Sequence, residues 1–273
     1  MKSLENEVLA SGRVERSREV GWPIPQVLAH RGSVFSYAFQ EGVNLSDILN
    51  DSECWKFLSW MNTRFWAPRM TDAPRFRAVC EAFYFDKTKL RLSLLEKLPG
   101  FETIDEPIAI NGRECPSVRE LMSCARDYVL SGGMPSTFHG DLHADNVIKA
   151  GDQYTLIDWR HSFGDLRDIG DRYYDLAKFL HTLEFSVRCM NEGSFRVTTK
   201  RDELILNHKV TFAELGARDA FFRFVDRHHY DSKRIRIING LIFINMAPLY
   251  SPELARYLYY LGRYTLQLSL SEV

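Results

Sequence analysis

The stretch from His139 to Arg160, His-Gly-Asp-Leu-His-Ala-Asp-Asn-Val-Ile-Lys-Ala-Gly-Asp-Gln-Tyr-Thr-Leu-Ile-Asp-Trp-Arg, constrains this chain more than any other. It sets a carboxylate, Asp141, five positions ahead of an amide, Asn146, and puts a second acid, Asp158, just after an apolar Tyr-Thr-Leu-Ile strand. Transfer of a phosphoryl group to a hydroxyl uses such a set. One carboxylate orients the hydroxyl and takes its proton, while an amide and a second acid hold Mg²⁺, which takes hard oxygen ligands. Each of the three alone could be a turn residue, since Asp and Asn favour turns. The ordered set carries the reading. A metal cluster of His139, Asp141 and His143 is the alternative, because imidazole and carboxylate both bind transition metals, but it leaves Asn146 and Asp158 without roles.

At these residues the chain resembles the aminoglycoside phosphotransferase and choline kinase family, small-molecule kinases of the protein-kinase-like fold. That family's loops read His-Gly-Asp-x-x-x-x-Asn and Ile-Asp-Trp, followed by a Gly-Asp-x-x-Tyr-Asp-Leu-Ala segment, which here is Gly170 to Ala177 and continues into Lys178. Asp86-Lys87-Thr88, Tyr-Tyr-Asp-Leu-Ala-Lys and Asn245-Met246-Ala247-Pro248-Leu249 are most similar to phosphotransferases associated with bacterial surface-polysaccharide synthesis.

The resemblance implies an α+β protein-kinase-like fold, ATP as phosphoryl donor, Mg²⁺, and a small-molecule hydroxyl acceptor such as a sugar or polyol. Carried over residue by residue, Asp141 is the catalytic base that receives the proton, Asn146 and Asp158 hold the metal, and the backbone of Ala38, Phe39 and Gln40 meets the adenine. His139 and Asp175 brace the loop. His143 and Asp145 are either solvated loop residues or substrate contacts. Arg160, whose planar fork suits a phosphate or an acidic sugar, could equally form a structural ion pair with Asp165 or Asp168.

The first 42 residues read as the remnant of a small nucleotide-binding lobe, with one helix over Ser3 to Val20, strands over Gln26 to Ala29 and Ser33 to Phe39, and a hinge. Before residue 43 the glycines at 12, 21, 32 and 42 are isolated and Lys2 is the only lysine. Neither a glycine-rich hairpin nor a strand lysine is expected, although both normally grip the phosphates. The small lobe thus reads as reduced or truncated, and ATP binding is expected to be roughly tenfold to a hundredfold weaker than with both parts. A kinase-like binding or regulatory protein without turnover, or an inactive fragment, is the rival to an active enzyme.

Residues 43–273 read as a helical catalytic lobe, with helices over Leu45 to Leu49, Cys54 to Phe65, Pro74 to Phe85, Lys89 to Leu98 and Val118 to Leu130. A helical lobe with one catalytic loop and one small hairpin accounts for everything after Gly42. Leu176, Leu180, Leu183 and Val187 form one core-facing stripe, and Ile235 to Leu249 a buried helix. The aromatics Trp55, Trp60, Phe65 and Trp66 read as helix core rather than a sugar platform. Arg227-His228-His229 with Lys233, Arg234 and Arg236 reads as a solvated helix end.

A net charge of −1 gives no global field to attract nucleic acid. No run is apolar enough to span a membrane, and the N-terminus lacks the apolar core of a signal peptide. Five cysteines with no Cys-x-x-Cys pair favour buried free thiols in a reducing cytoplasm.

Overall fold

A computed structural model describes residues 1–101 and 104–271. Strand β1 (Lys2–Ser3) leads into helix α1 (Glu7–Val20). Asn6 caps α1 by accepting the Leu9 amide at 3.0 Å, which satisfies one of the four donors that a helix start leaves open. Strands β2 (Val27–Arg31) and β3 (Val34–Tyr37) follow. The sheet order is β1-β3-β2, with Lys2 opposite Phe35. A third strand therefore joins the two expected, and it carries Lys2.

Strand β4 (Val43–Asn44) precedes α2 (Leu45–Ile48) and α3 (Asp51–Trp60). The last of these runs on into a wider π-type turn over Met61–Phe65. Helices α4 (Ala73–Glu81) and α5 (Lys87–Leu95) were expected as separate units but form one run joined by a second π turn, Ala82–Asp86. No proline or glycine interrupts this join, and the wider turn lets Phe83, Tyr84 and Phe85 all be buried.

A hairpin of β5 (Ile108–Ile110) and β6 (Arg113–Cys115) turns at Asn111-Gly112, both with positive φ, as a two-residue Asn-Gly hairpin requires. Helix α6 (Val118–Leu130) leads to β7 (Pro135–Ser136), β8 (Val147–Ala150), β9 (Gln153–Leu156) and β10 (Gly170–Asp171). Strands β4-β8-β9 form one sheet, and β7 pairs with β10.

Helix α7 (Arg172–Glu184) is buried on all sides from Arg172 to Leu183, not along a single stripe. Helix α8 (Val187–Glu192) is followed by β11 (Phe195–Lys200) and β12 (Glu203–His208). Strand β12 pairs in parallel with β5, which builds the sheet β11-β12-β5-β6. The small hairpin expected beside the catalytic loop is present as β8 and β9, and this four-stranded sheet adds to it strands that were not expected. Helices α9 (Phe212–Arg227), α10 (Ser232–Met246) and α11 (Pro252–Ser271) complete the chain. Helix α10 buries Ile235, Ile237, Ile238, Leu241 and Phe243 against its neighbours.

Arg234 departs from the expected solvated cluster. It is buried and donates to the Val129 carbonyl at the end of α6. The five cysteines are free, and Cys124 is exposed rather than buried. Among the described residues no helix is long and apolar enough to cross a membrane.

Candidate active site

The Phe138–Asn146 loop lies between β7 and β8 and is held mainly through its backbone. Gly140 has φ +86°, and a Cβ there would fall 2.6 Å from Cβ of Arg160 and 2.8 Å from the Phe138 ring. The middle position of His-Gly-Asp therefore admits only glycine. The His139 and Gly140 amides donate to Asp175 at 2.7 and 2.8 Å, and the Trp66 indole adds a third donor at 3.0 Å. Asp175 is fully buried. Burial pushes its carboxyl up to about 6, against the pull of these three donors.

His139 is also fully buried, and burial pushes its imidazole down to about 3. Nε2 lies 2.8 Å from the Ile157 carbonyl, and the Asp141 amide donates to Nδ1 at 3.3 Å. A neutral ring protonated on Nε2 satisfies both bonds. With both nitrogens engaged His139 has no lone pair left for a metal. Among the described residues no group of three His, Cys, Asp or Glu side chains is placed to hold one.

Asp141 sits at the mouth of a small cleft. Lys178 of α7 approaches its Oδ1 to 2.9 Å, and His143 lies 3.9 Å from Oδ2. Burial opposes the charge on Asp141, but Lys178 and then His143 outweigh it and hold the carboxyl well below the usual carboxylate range. Lys178 gains in turn, since Asp141 overcomes burial and raises its pKa. His143 Nδ1 is 3.4 Å from Asp145, which faces a separate groove beside α8. The structure thus brings His143 to Asp141 and turns Asp145 away.

The Asn146 amide nitrogen donates to the Asp141 carbonyl at 2.9 Å, which leaves its oxygen as the available ligand. The Ile157 amide donates to the Asn146 carbonyl at 2.9 Å and ties the next loop to this one. There Asp158 adopts φ +58°, a left-handed conformation that costs an L-residue roughly 1–2 kcal/mol. Its Oδ2 meets Lys2 at 2.6 Å, and its Oδ1 lies 3.9 Å from Arg13. That Oδ1 is buried and accepts no hydrogen bond. The orphaned carboxylate oxygen of Asp158 and the amide oxygen of Asn146 are both hard donors, and in kind they fit Mg²⁺.

The expected absence of a strand lysine is corrected here. Lys2 lies on β1, immediately ahead of α1, and reaches the Asp158 carboxylate. The composition of the first 42 residues could not place it, because its partners Phe35 and Asp158 are 33 and 156 positions away in the chain.

Helix α1 clasps both loops. Arg16, fully buried, donates to the carbonyls of Phe138, His139 and Arg160 and lies 4.0 Å over the Phe138 ring. The Trp159 indole donates to the Arg13 carbonyl at 2.9 Å, and its ring packs against Phe35 and Tyr37 of β3. Neither Arg16 nor Lys178 was singled out from sequence. The signal available for Lys178 is its i,i+3 spacing from Asp175 on one helix.

Arg160 makes no ion pair with Asp165 or Asp168. Asp165 pairs with Arg75 at 3.2 Å, while Arg160 donates to the Ser162 carbonyl and lines the cleft beside Asp141. Ala38, Phe39 and Gln40 follow β3, with Ala38 and Phe39 exposed and the Gln40 amide donating to the Ala38 carbonyl at 2.6 Å.

No curated protein matches the chain in sequence. Among solved structures the fold is similar to that of the choline kinase LicA from Streptococcus pneumoniae, with a TM-score of 0.50 and 14% identity over 94% of this chain and 79% of that one. It is likewise similar to a structure designated fructosamine-3-kinase from Thermobifida fusca, with a TM-score of 0.52 and 14% identity over 99% and 82% of the two chains. At such identity the likeness speaks to fold, an α+β protein-kinase-like architecture. The profile of the phosphotransferase enzyme family matches residues 72–208, from the N-cap of α4 to the end of β12. It includes both loops and the helix that braces them, so the chain belongs to the phosphotransferase enzyme family.

Proposed function

We propose that the chain transfers the γ-phosphoryl group of ATP to a hydroxyl of a small molecule, a sugar or polyol component of a bacterial surface polysaccharide. The observation that carries this reading is Asp141, an ionised carboxylate held by Lys178 at the mouth of a cleft whose Arg13 side chain reaches Asp158 on the adjoining loop. The acceptor hydroxyl would lie against Asp141. Its oxygen bonds to the γ-phosphorus, the bond from that phosphorus to the β,γ-bridging oxygen breaks, ADP departs, and the hydroxyl proton passes to Asp141. A carboxylate with a depressed pKa is a weak base. It suffices in phosphoryl transfer, because the loose transition state asks for alignment more than for early deprotonation.

Asn146 and Asp158 are the residues that would hold Mg²⁺, which when bound neutralises charge on the donor phosphates. Lys2 and Arg13 offset the charge of Asp158, and both are cations that would attract the donor phosphates. Ala38 to Gln40, of which Ala38 and Phe39 are exposed, would meet the adenine through their backbone. We further propose that residues 1–42 act as the nucleotide-binding lobe and the remainder as the catalytic lobe.

One observation favours a second reading, a kinase-like binding protein without turnover: both key carboxylates already carry an ammonium partner, Lys178 on Asp141 and Lys2 on Asp158. Calorimetric titration of ATP with and without Mg²⁺ separates these readings at the binding step. Wild type is expected to bind ATP more tightly with Mg²⁺, and Asp158→Ala to lose that increment. Intact Mg²⁺-dependent binding in Asp158→Ala would contradict the metal assignment, and no ATP binding by wild type would reject the enzyme.

A further inference from the structure

The cleft beside Asp141 has a volume of about 230 Å³, just below the range usual for drug-sized ligands, and its charge is one-sided. Arg13, Lys87, Arg91, Arg160 and Lys178 line it, and Asp141 is the only carboxylate lining it among the described residues. Lys178 is matched by Asp141 and Arg13 lies near Asp158. Lys87, Arg91 and Arg160 make no ion pair among the described residues. Lys87 and Arg160 instead share one ring, lying 4.8 and 5.0 Å from the Phe83 centroid.

Lys87, Arg91 and Arg160 thus line the cleft without an ion-pair partner of their own, and its one carboxylate, Asp141, is already matched by Lys178. Burial, then Arg160, Arg91 and Lys178, push the Lys87 ammonium down to about 7 against the pull of Asp141, and an anion bound beside it would favour its charged form. Helix α10 lines the cleft with Ile238, Leu241 and Ile242, and Asn245 on the same helix has a buried Oδ1 that accepts no hydrogen bond. Its amide nitrogen is held by Thr88 and by the Leu241 carbonyl, so the oxygen is fixed in place.

We infer that the acceptor is an anion, a hydroxylated compound bearing a phosphate ester or a carboxylate that Lys87, Arg91 and Arg160 bind while one hydroxyl meets Asp141 and another donates to Asn245. This rests on the kinase reading of the same site and narrows it. A cationic amine acceptor would face like charge in a cavity that excludes much of the water that could screen it.

The test is calorimetry on the full chain with Mg²⁺ and the non-hydrolysable analogue AMP-PNP filling the donor site. The probes are sn-glycerol 3-phosphate and D-glucuronate as anions, glycerol and D-glucose as their neutral counterparts, and choline and D-glucosamine as cations. At least one anion should bind about tenfold or more tighter than its neutral counterpart. A preference confined to one anion identifies the group as phosphate or carboxylate. The gap should close in Lys87→Gln/Arg91→Gln with AMP-PNP affinity unchanged, and should persist in the charge-preserving Lys87→Arg/Arg91→Lys. Equal binding of the three charge classes, or a gap that survives Lys87→Gln/Arg91→Gln, overturns the inference. So does a loss of AMP-PNP affinity in that variant with the gap intact, because the cluster would then serve the donor. Failure of wild type to bind AMP-PNP with Mg²⁺ rejects the kinase reading alone, since the anion preference is measurable without nucleotide.

Discussion

Replacing Lys178 by Met keeps the length and volume of the side chain while removing the cation 2.9 Å from Asp141. At that separation the Coulomb attraction is roughly 6 kcal/mol for an effective dielectric of about 20 and roughly 1.4 kcal/mol in bulk water. The Asp141 side chain is 42% exposed, so the lower part of that range applies, about 1.5–3 kcal/mol or about one to two pKa units. Without Lys178, burial pushes the carboxyl upward with His143 as the strongest remaining opposition. The titration of Asp141 should therefore move up by about one to two units. Carboxyl carbon shifts of ¹³C-labelled aspartate, followed against pH, report this without any acceptor, and the Asp141→Asn spectrum identifies the signal. A midpoint common to wild type and Lys178→Met would refute the claim that α7 sets the charge of the catalytic loop.

Two further predictions concern the bracing of that loop. Asp175 titrates near 6 when folded, above its ordinary 3.8; the folded state holds the extra proton between these values, so the stability this group contributes is full below about pH 4 and lost as pH rises through 6. Asp175→Asn should flatten that decline in urea unfolding measured from pH 4 to 7, and should destabilise by about 2–4 kcal/mol near neutrality because its amide nitrogen meets a backbone donor. An unaltered pH slope would remove Asp175 as its source. Arg16→Met leaves the Phe138, His139 and Arg160 carbonyls without their shared donor and should cost about 2–4 kcal/mol, with amide exchange accelerating most at Gly140 and Arg160. Unchanged protection at those two amides would show that α1 does not hold the loops.

The site was legible in sequence where its geometry is local. Asp141 and Asn146 share one loop, closed by the 2.9 Å bond from the Asn146 side chain to the Asp141 carbonyl, so their spacing encodes their relation. Asp175 could be read because its helix follows in order and accepts the amides of His139 and Gly140. Contacts between distant segments left no such pattern. Lys2 meets Asp158 across 156 positions, and Arg16 reaches Phe138 across 122.

The same limit hid the parallel pairing of β12 with β5, in which Glu203 lies opposite Ala109. The Asn111-Gly112 hairpin is different, since that dipeptide after the apolar Ile108-Ala109-Ile110 run is a local turn signal. The π turns after α3 and α4 depend on which aromatics the surrounding helices can bury, and helical periodicity alone does not reveal that.

The most direct test of the whole account is ADP formation from ATP and Mg²⁺, with glycerol 3-phosphate, glucuronate and their neutral counterparts offered as acceptors, in wild type and in Asp141→Asn. The amide cannot take the hydroxyl proton, so the variant's rate should fall about 10²–10⁴-fold while its melting temperature and its affinity for the Mg²⁺ nucleotide hold. Equal rates in the two proteins, or no nucleotide turnover by wild type with any of these acceptors, would contradict the assignment of this loop to phosphoryl transfer.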